Sequence, residues 1–297
     1  MKQYSYEHMI KVIRLLYENR GFLRPELTIG QTIYKEYNNP VIDAQLGGLF
    51  AYLDEFIALH RYISYFFITG IGNKNSEALT YYRLSIRQIH NLSSIRLLCS
   101  YGLDYNARLQ LRNLYETSLL WVRCTLDQDF MVEYQKSVTT IKTNEFWHKY
   151  LSKGKNETKI KELLKSKKST WIVDLDNNLE HFKSIMSIVS HPNYIADHYA
   201  GIEDWNNYKD DKLATFPISS GSHFTLSNAL LCSAIPFTVT PFIEYKIEFI
   251  DLRESLEFPK TSSQLNINEY FHKLTELIPA LLLASFKCAN ELRTKEL

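Results

Sequence analysis

The stretch that decides the fold is LGGLFAYLDEFIALHRYISYFF, residues Leu46 to Phe67. Its apolar and aromatic side chains occupy more than one helical face, which is typical of a helix that is buried on most sides. Asp43 precedes the stretch and Gly70 follows it, so we predict one long helix with Asp43 as its amino-terminal cap and Gly70 at its end. We expect this helix to be largely buried.

Helical periodicity continues on both sides of this stretch, and glycine and proline are scarce, with ten and eight residues in a chain of 297. The sequence therefore predicts an all-α protein, a multi-helix bundle whose first helix ends near Gly21. The apolar stripe of that first helix comprises Met9, Ile10, Ile13, Leu16 and Tyr17.

A tight helical hairpin is predicted in the first half of the chain. Asn75 or Ser76 caps a helix that ends at Gly102, and Asp104 caps the next helix, which continues to about Leu126. Because only the short turn around Gly102 separates them, the two helices should pack side by side. Further helices are predicted at about 128–150, 152–170, 177–190, 225–255 and 268–291, and the last two are kinked at Pro236, Pro241 and Pro279.

The whole chain, residues 1–297, is predicted to form a single helical domain. Residues 1–40 form the first helix and a connection, 41–255 the core bundle, and 256–297 a carboxy-terminal helix. A content of 45% hydrophobic residues gives enough material for a large core, so disorder is not expected. Residues 192–222 have the character of a long loop, and loops of that length are often functional.

Charge and cysteine usage predict a cytoplasmic protein without a membrane span. Lysine plus arginine (34) nearly balance aspartate plus glutamate (33), so no overall field attracts nucleic acid or an anionic membrane. The four cysteines are widely separated, which fits a reducing compartment. Phe224 to Ile243 is twenty residues without a charge, but it contains Pro236 and Pro241, and we interpret it as a buried, kinked helix.

The motifs of several enzyme classes are absent from the sequence. It contains no GxxxxGK[ST], no HExxH, no GxSxG and no paired CxxC, so we expect no cofactor and no metal. His181, Asp197 and His198 could in principle ligate a metal, but their spacing matches no metal signature. The lysine-rich segment 152–170 lacks interleaved arginine and aromatic residues, and we interpret it as a solvated surface helix rather than a phosphate-binding one.

Three groups of polar residues are candidates for a site. In the first, Arg108, Arg112 and Glu116 are spaced four residues apart and are predicted to share one face of their helix. Leu119, Leu120 and Trp121 follow Glu116, which suggests that its carboxylate is partly buried and needs a partner. The alternative is a self-contained pair of Arg112 and Glu116 within the helix.

The second candidate group lies on the helix that ends at Pro192. Glu180, Ser184, Ser187 and His191 recur on one face of that helix, opposite an apolar stripe. His191 is at the carboxy-terminal end, where the helix dipole favours a protonated imidazole, so it could act as a general acid. The alternative is a polar face that only meets water.

The third candidate group is Arg83, Arg87 and His90, which lie along one helical face. Arg83 and His90, with six residues between them, resemble the arginine-to-histidine motif of HEPN domains, in which four to six residues intervene. The resemblance implies a helical nucleotide-binding or ribonuclease module of the kind common in bacterial toxin and phage-defence systems.

A broader likeness covers about residues 45 to 250. The runs RQIHNLSSIRLLCSYGLDYNARLQLRNLYET (87–117) and FKSIMSIVSHPNYIADH (182–198) resemble an uncharacterised family of bacterial all-helical proteins. That family has an arginine-to-glutamate helix and, far downstream, a serine-to-histidine helix end. The positions that correspond are Arg108, Arg112, Glu116, Ser187 and His191.

Two functions are expected from these patterns. The leading hypothesis is a HEPN-like effector that binds or cleaves RNA or a nucleotide without a metal, as a metal-independent ribonuclease would. His191 or His90 would transfer the proton, Arg112, Arg108 or Arg83 would stabilise the phosphate charge, and Glu116 would orient an arginine. The alternative is a non-catalytic interaction or sensor module, which forms a homo-oligomer or binds a protein partner and uses buried polar residues to set the helix register.

Overall fold

The computed structural model describes residues 5–19, 40–71, 76–165 and 221–239, together with positions 280, 281, 283, 284 and 287. Of the described residues 94% are helical and none lies in a strand, which confirms the all-α prediction. In chain order the elements are α1 (Tyr6–Glu18), α2 (Pro40–Ile71), α3 (Ser76–Ser100), α4 (Asp104–Leu126), α5 (Gln128–Lys136), α6 (Thr140–Phe146), a π-helical turn (Trp147–Leu151), a 3-10 turn (Ser152–Gly154), α7 (Lys155–Lys165) and α8 (Gly221–Val239).

Helix α2 is the centre of the bundle, with α1, α3 and α8 packed around it. Every residue from Leu46 to His60 is buried, as the aromatic pattern predicted. The predicted cap at Asp43 is wrong, because the helix begins three residues earlier at Pro40. Proline is favoured in the first turn of a helix, where its fixed φ suits the helix and its missing N–H needs no partner.

The first helix follows its predicted stripe. Met9, Ile13 and Tyr17 are buried against the core, and Ile10 and Leu16 are partly buried beside them. Ser5 caps the helix through a hydrogen bond from the His8 backbone N–H.

The hairpin of α3 and α4 forms as predicted, around Gly102 at φ 71°. That left-handed conformation favours glycine, and it lets the Leu103 N–H reach the Leu98 carbonyl at 2.9 Å. The predicted cap at Asp104 is wrong: Leu103 occupies the cap position, and Asp104 is a buried residue of the first turn. Its carboxylate forms an ion pair with Arg108 and does not cap the helix.

The segment 128–150, predicted to be one helix, is broken into α5, α6 and a π-helical turn. The Ser137 hydroxyl donates to the Tyr134 carbonyl at 2.6 Å, and the Thr139 hydroxyl accepts from the Lys142 N–H at 3.3 Å. Such side chains compete with the helical ladder and cap a new helix, which explains the break.

Helix α7 occupies part of the lysine-rich segment and packs against α4. Ile160 and Leu164 are buried on its inner side, while Lys155, Lys159 and Lys165 are exposed, as expected of a solvated surface helix. Residues 166–170 lie outside the described part of the chain.

Helix α8 packs against α2, α3 and α4 and continues through Pro236. Most of its described side chains are buried, which agrees with a core helix. Within the described residues no helix has the length and apolarity that crossing a membrane would require. The remainder of the predicted helix, with Pro241, and the predicted break at Pro279 lie outside the described residues.

Candidate functional site

The outer surface of the α3–α4 hairpin carries several of the residues predicted from the sequence. Arg83, Arg87 and His90 are all exposed on α3. Arg83 and His90 are seven residues apart, close to two helical turns, so their side chains leave the helix on the same side. Within the described part of the chain no hydrogen bond or ion pair engages Arg83, Arg87 or His90. We call these three residues the basic stripe.

Two hydrogen bonds set the register of the hairpin. Tyr81 donates to Thr125 at 3.2 Å, and Gln88 donates to Ser118 at 2.8 Å. The two helices run antiparallel, so a move of seven residues forward along α3, from 81 to 88, corresponds to a move of seven residues back along α4, from 125 to 118. By this register His90 is level with Glu116 across the hairpin.

Arg112 and Glu116 form an ion pair within α4. Arg112 Nε lies 3.0 Å from Glu116 Oε1, and the two side chains are 45% and 54% exposed. The expectation of a partly buried Glu116 is therefore wrong, and the self-contained pair is confirmed. The apolar residues that follow Glu116, namely Leu119, Leu120 and Trp121, are buried in the core.

Arg108 is separated from that surface by burial. Its Nε lies 2.6 Å from Asp104 Oδ2, and both side chains are at most 6% exposed. Thr225 of α8 donates to Asp104 Oδ1 at 2.6 Å, and the Arg108 guanidinium lies 5.9 Å from the centre of the Phe224 ring.

The predicted shared face of Arg108, Arg112 and Glu116 is therefore wrong. Each step of four residues turns about 40° around the helix, so Arg112 and Glu116 lie about 40° and 80° further towards the solvent side than Arg108. Arg108 joins α4 to α8, and only Arg112 and Glu116 face outward.

His191, Ser187, His181, Asp197 and His198 lie outside the described residues. The proton-transfer role of His191 stays a prediction. Among the described residues no group of three or more histidine, cysteine, aspartate or glutamate side chains could hold a metal. Burial raises the pKa of the thiols of Cys99, Cys124 and Cys232, which disfavours the reactive thiolate form.

The interior contains ionisable groups that the sequence patterns did not reveal. Asp54 of α2 pairs with Arg96 of α3, with 3.2 Å between Oδ1 and Nε. The Arg96 guanidinium lies 3.8 Å from the centre of the Phe50 ring and also bonds Ser100. Burial raises the pKa of Asp54 to about 6, although the positive charge of Arg96 opposes the rise.

A layer of polar side chains joins the four central helices. His60 Nε2 of α2 lies 2.9 Å from the Ser233 carbonyl, and the Ser118 hydroxyl of α4 lies 2.8 Å from the Cys232 carbonyl. Gln88 of α3 completes the connection through its bond to Ser118. We call His60, Gln88, Ser118 and the carbonyls of residues 232 and 233 the polar layer. Burial lowers the pKa of His60 to about 4, so the imidazole is neutral at physiological pH.

Pro236 explains why α8 can take part in this layer. In a regular helix the N–H of residue 236 would donate to the carbonyl of Cys232, but proline has no N–H. The Cys232 carbonyl is thus available to Ser118. One signal in the sequence could have indicated the layer, namely a histidine and two carboxylates within the apolar run 46–67.

The turn end of the hairpin has an apolar surface. Leu97, Tyr101, Leu103, Tyr105 and Leu109 are each between 38% and 48% exposed. By the hairpin register Leu97 is level with Leu109, and Tyr101 with Tyr105. These five residues, here called the apolar end, concentrate exposed apolar area in one place.

Comparisons of the chain with protein-family models, with curated proteins and with solved structures find no match.

Proposed function

We propose that the protein is a HEPN-like helical effector that binds the phosphate groups of RNA or of a nucleotide along the basic stripe of α3. The observation that carries the proposal is the exposure of Arg83, Arg87 and His90 on one side of a single helix, without a carboxylate partner among the described residues. The other two candidate arginines are engaged, since Arg108 is paired with Asp104 and Arg112 with Glu116.

The dimensions of the stripe support contact with more than one phosphate group. From Arg83 to His90 the helix rises about 10 Å. Guanidinium groups bind phosphate oxygens in pairs and keep their charge at any physiological pH, which favours anion binding at an exposed position. A role in bacterial phage defence or as a toxin rests on the resemblance of Arg83 and His90 to the HEPN motif.

Cleavage of RNA without a metal would need a group that transfers a proton. Of the two candidate histidines, His90 lies within the described residues and is exposed beside Arg87. In this mechanism His90 moves a proton of the attacking hydroxyl or the leaving group, while Arg83 and Arg87 stabilise the charge of the pentavalent phosphate.

The test is binding of a fluorescently labelled single-stranded RNA, followed by anisotropy at several salt concentrations. Changing both Arg83 and Arg87 to glutamine should weaken binding at least tenfold and reduce the salt slope by about 1.4, because each phosphate contact contributes about 0.7 on a single strand. The matched control is Arg112→Gln, an exposed arginine on the neighbouring helix whose charge is already paired. Equal affinity of the double variant and the wild type would refute phosphate binding by the stripe.

A second observation favours a different function, the interaction module. The apolar end presents five large side chains to solvent, and contiguous exposed apolar patches commonly mark protein interfaces. In that function the protein forms a homo-oligomer or binds a protein partner through the turn end of the hairpin.

Light scattering after size-exclusion chromatography would test the homo-oligomer. If the apolar end is the interface, Leu97→Glu together with Leu109→Glu should convert the oligomer to a monomer. Ile141→Glu is the control, because Ile141 is also exposed but lies on α6. A wild-type protein that is monomeric at high concentration would contradict the oligomer, and a double variant that stays oligomeric would exclude this interface.

A further inference from the structure

Three buried polar atoms beside the polar layer have no hydrogen-bond partner among the described residues: His60 Nδ1, Gln88 Oε1 and Trp121 Nε1. Their side chains are fully buried. Buried polar atoms are nearly always paired, since an unpaired one loses its bonds to water without replacement. Three such atoms in one region therefore point to a ligand.

The three side chains lie in neighbouring positions. The rings of His60 and Trp121 have centroids 6.4 Å apart. Gln88 bonds Ser118, which precedes Trp121 by one helical turn on α4. His60, Gln88 and Trp121 therefore lie on neighbouring turns of α2, α3 and α4 in the interior of the bundle.

The chemical role of each atom follows from its surroundings. His60 Nε2 faces the Ser233 carbonyl at 2.9 Å, so it carries the hydrogen, and Nδ1 of the neutral ring is an acceptor. Gln88 uses its amide nitrogen on Ser118, so its remaining atom is the acceptor Oε1. The indole Nε1 of Trp121 can only donate. The set thus consists of two acceptors and one donor.

We propose that His60, Gln88 and Trp121 bind one internal water molecule. The water donates its two hydrogens to His60 Nδ1 and Gln88 Oε1, and its oxygen accepts the hydrogen of Trp121 Nε1. Three bonds are the usual number for a buried water, and this arrangement satisfies all three atoms at once.

Other small ligands fit this set less well. An anion would face two acceptors, and an ammonium ion has no lone pair for the Trp121 hydrogen. The surrounding side chains are aromatic, with the Phe237 ring 4.9 Å from His60 and the Tyr81 ring 5.4 Å from Trp121. A charged guest would lose its hydration in this environment without an opposite charge to replace it. A neutral molecule with two donors and one acceptor meets the requirement.

A high-resolution crystal structure of the whole chain provides the direct test. The expected result is an electron-density peak within hydrogen-bond distance of all three atoms. A dry site, or side chains rotated so that the three atoms bond to protein groups, would overturn the proposal.

A double-mutant cycle in urea unfolding tests the bridge in solution. Trp121→Phe removes one bond to the water, and Gln88→Met removes one bond to the water together with the bond to Ser118. The second change should cost less once the first is made. Each variant lowers the folding equilibrium constant by a measurable factor. We expect the factor of the double variant to be at least about threefold smaller than the product of the factors of the two single variants. The control cycle pairs Trp121→Phe with Ser85→Ala, because among the described residues the Ser85 hydroxyl bonds only the Tyr81 carbonyl of its own helix. Additive losses in the first cycle would refute a shared water, and if a variant does not fold, the crystal structure decides.

Discussion

The hydroxyl of Tyr17 donates a hydrogen bond to Oε1 of Glu55, and this contact joins the last turn of α1 to the buried centre of α2. At the other end of α1, Tyr6 bonds Asp54, the residue before Glu55. Both ends of the first helix are therefore held by tyrosine hydroxyls on adjacent carboxylates. The apolar stripe of α1 is buried against the core, and the two tyrosine hydroxyls fix where the helix lies along α2.

Removal of the Tyr17 hydroxyl tests this arrangement. Tyr17→Phe keeps the ring but takes a donor from a fully buried carboxylate, so the free energy of unfolding should fall by about 1–3 kcal/mol. Urea denaturation followed by circular dichroism measures the change. Tyr105→Phe, at an exposed tyrosine, should stay within about 0.5 kcal/mol, and equal effects of the two variants would show that the Tyr17 bond does not hold α1.

The two arginines of α4 should differ sharply in their effect on stability. Arg108→Met leaves Asp104 buried without its ion-pair partner and should destabilise the protein by about 3–5 kcal/mol. Arg112→Met breaks an exposed pair and should cost less than about 1 kcal/mol. Thermal melting of both variants measures the difference. A mild effect at Arg108 would mean that the ion pair with Asp104 is not structural.

Asp54 and His60 should give opposite pH dependences of stability. The pKa of Asp54 rises from 3.8 to about 6 on folding. Its contribution to the free energy of unfolding is therefore present below pH 4 and is lost as the pH rises through 6. The pKa of His60 falls from 6.5 to about 4, so its contribution is present above pH 6.5 and is lost as the pH falls through 4. Each shift corresponds to roughly 3 kcal/mol at most.

The two slopes can be separated with Asp54→Asn and His60→Gln, measured by urea unfolding between pH 4 and 7. The stability of the wild type relative to Asp54→Asn should decrease as the pH rises. Relative to His60→Gln it should increase. A flat difference for either variant would show that the residue does not titrate differently in the folded and unfolded protein.

The bond between Ser118 and Cys232 should depend on Pro236. The Ser118 hydroxyl shares its hydrogen between the carbonyls of Leu114 and Cys232 and accepts from Gln88, so Ser118→Ala should cost about 1–3 kcal/mol. In a Pro236→Ala background the residue at 236 has an N–H that can donate to this carbonyl, so the same serine change should cost at least about 0.5 kcal/mol less. Equal costs in the two backgrounds, measured by chemical denaturation, would remove the role assigned to the proline.

The helical fold could be predicted because its signals are local. The stripe of α1, the glycine turn of the hairpin and the aromatic faces of α2 are all determined by neighbouring residues. The pair Arg112–Glu116 was found by the same reasoning, since its spacing of four is visible in the sequence.

The interior contacts could not be predicted because their partners are distant in sequence. Asp54 and Arg96 are 42 residues apart, and His60 and Ser233 are 173 apart. No periodicity relates such pairs, and the spacing rule even misled at Arg108, which shares its interval with Arg112 but lies on the buried side. The break between α5 and α6 was missed because serine and threonine interrupt a helix by side-chain bonds that leave the hydrophobic pattern unchanged.

The position of α8 late in the chain has a consequence for synthesis on the ribosome. The carbonyls of residues 232 and 233 are made long after His60 and Ser118, because the two bonds join residues that are 173 and 114 positions apart in the sequence. Translation adds roughly 5–20 residues per second, so the nascent α2, α3 and α4 wait several seconds or more for α8. Throughout that interval His60 and Ser118 lack their partners on α8, and the apolar faces that α8 will cover are open to chaperones. The polar layer is completed only when α8 emerges from the exit tunnel.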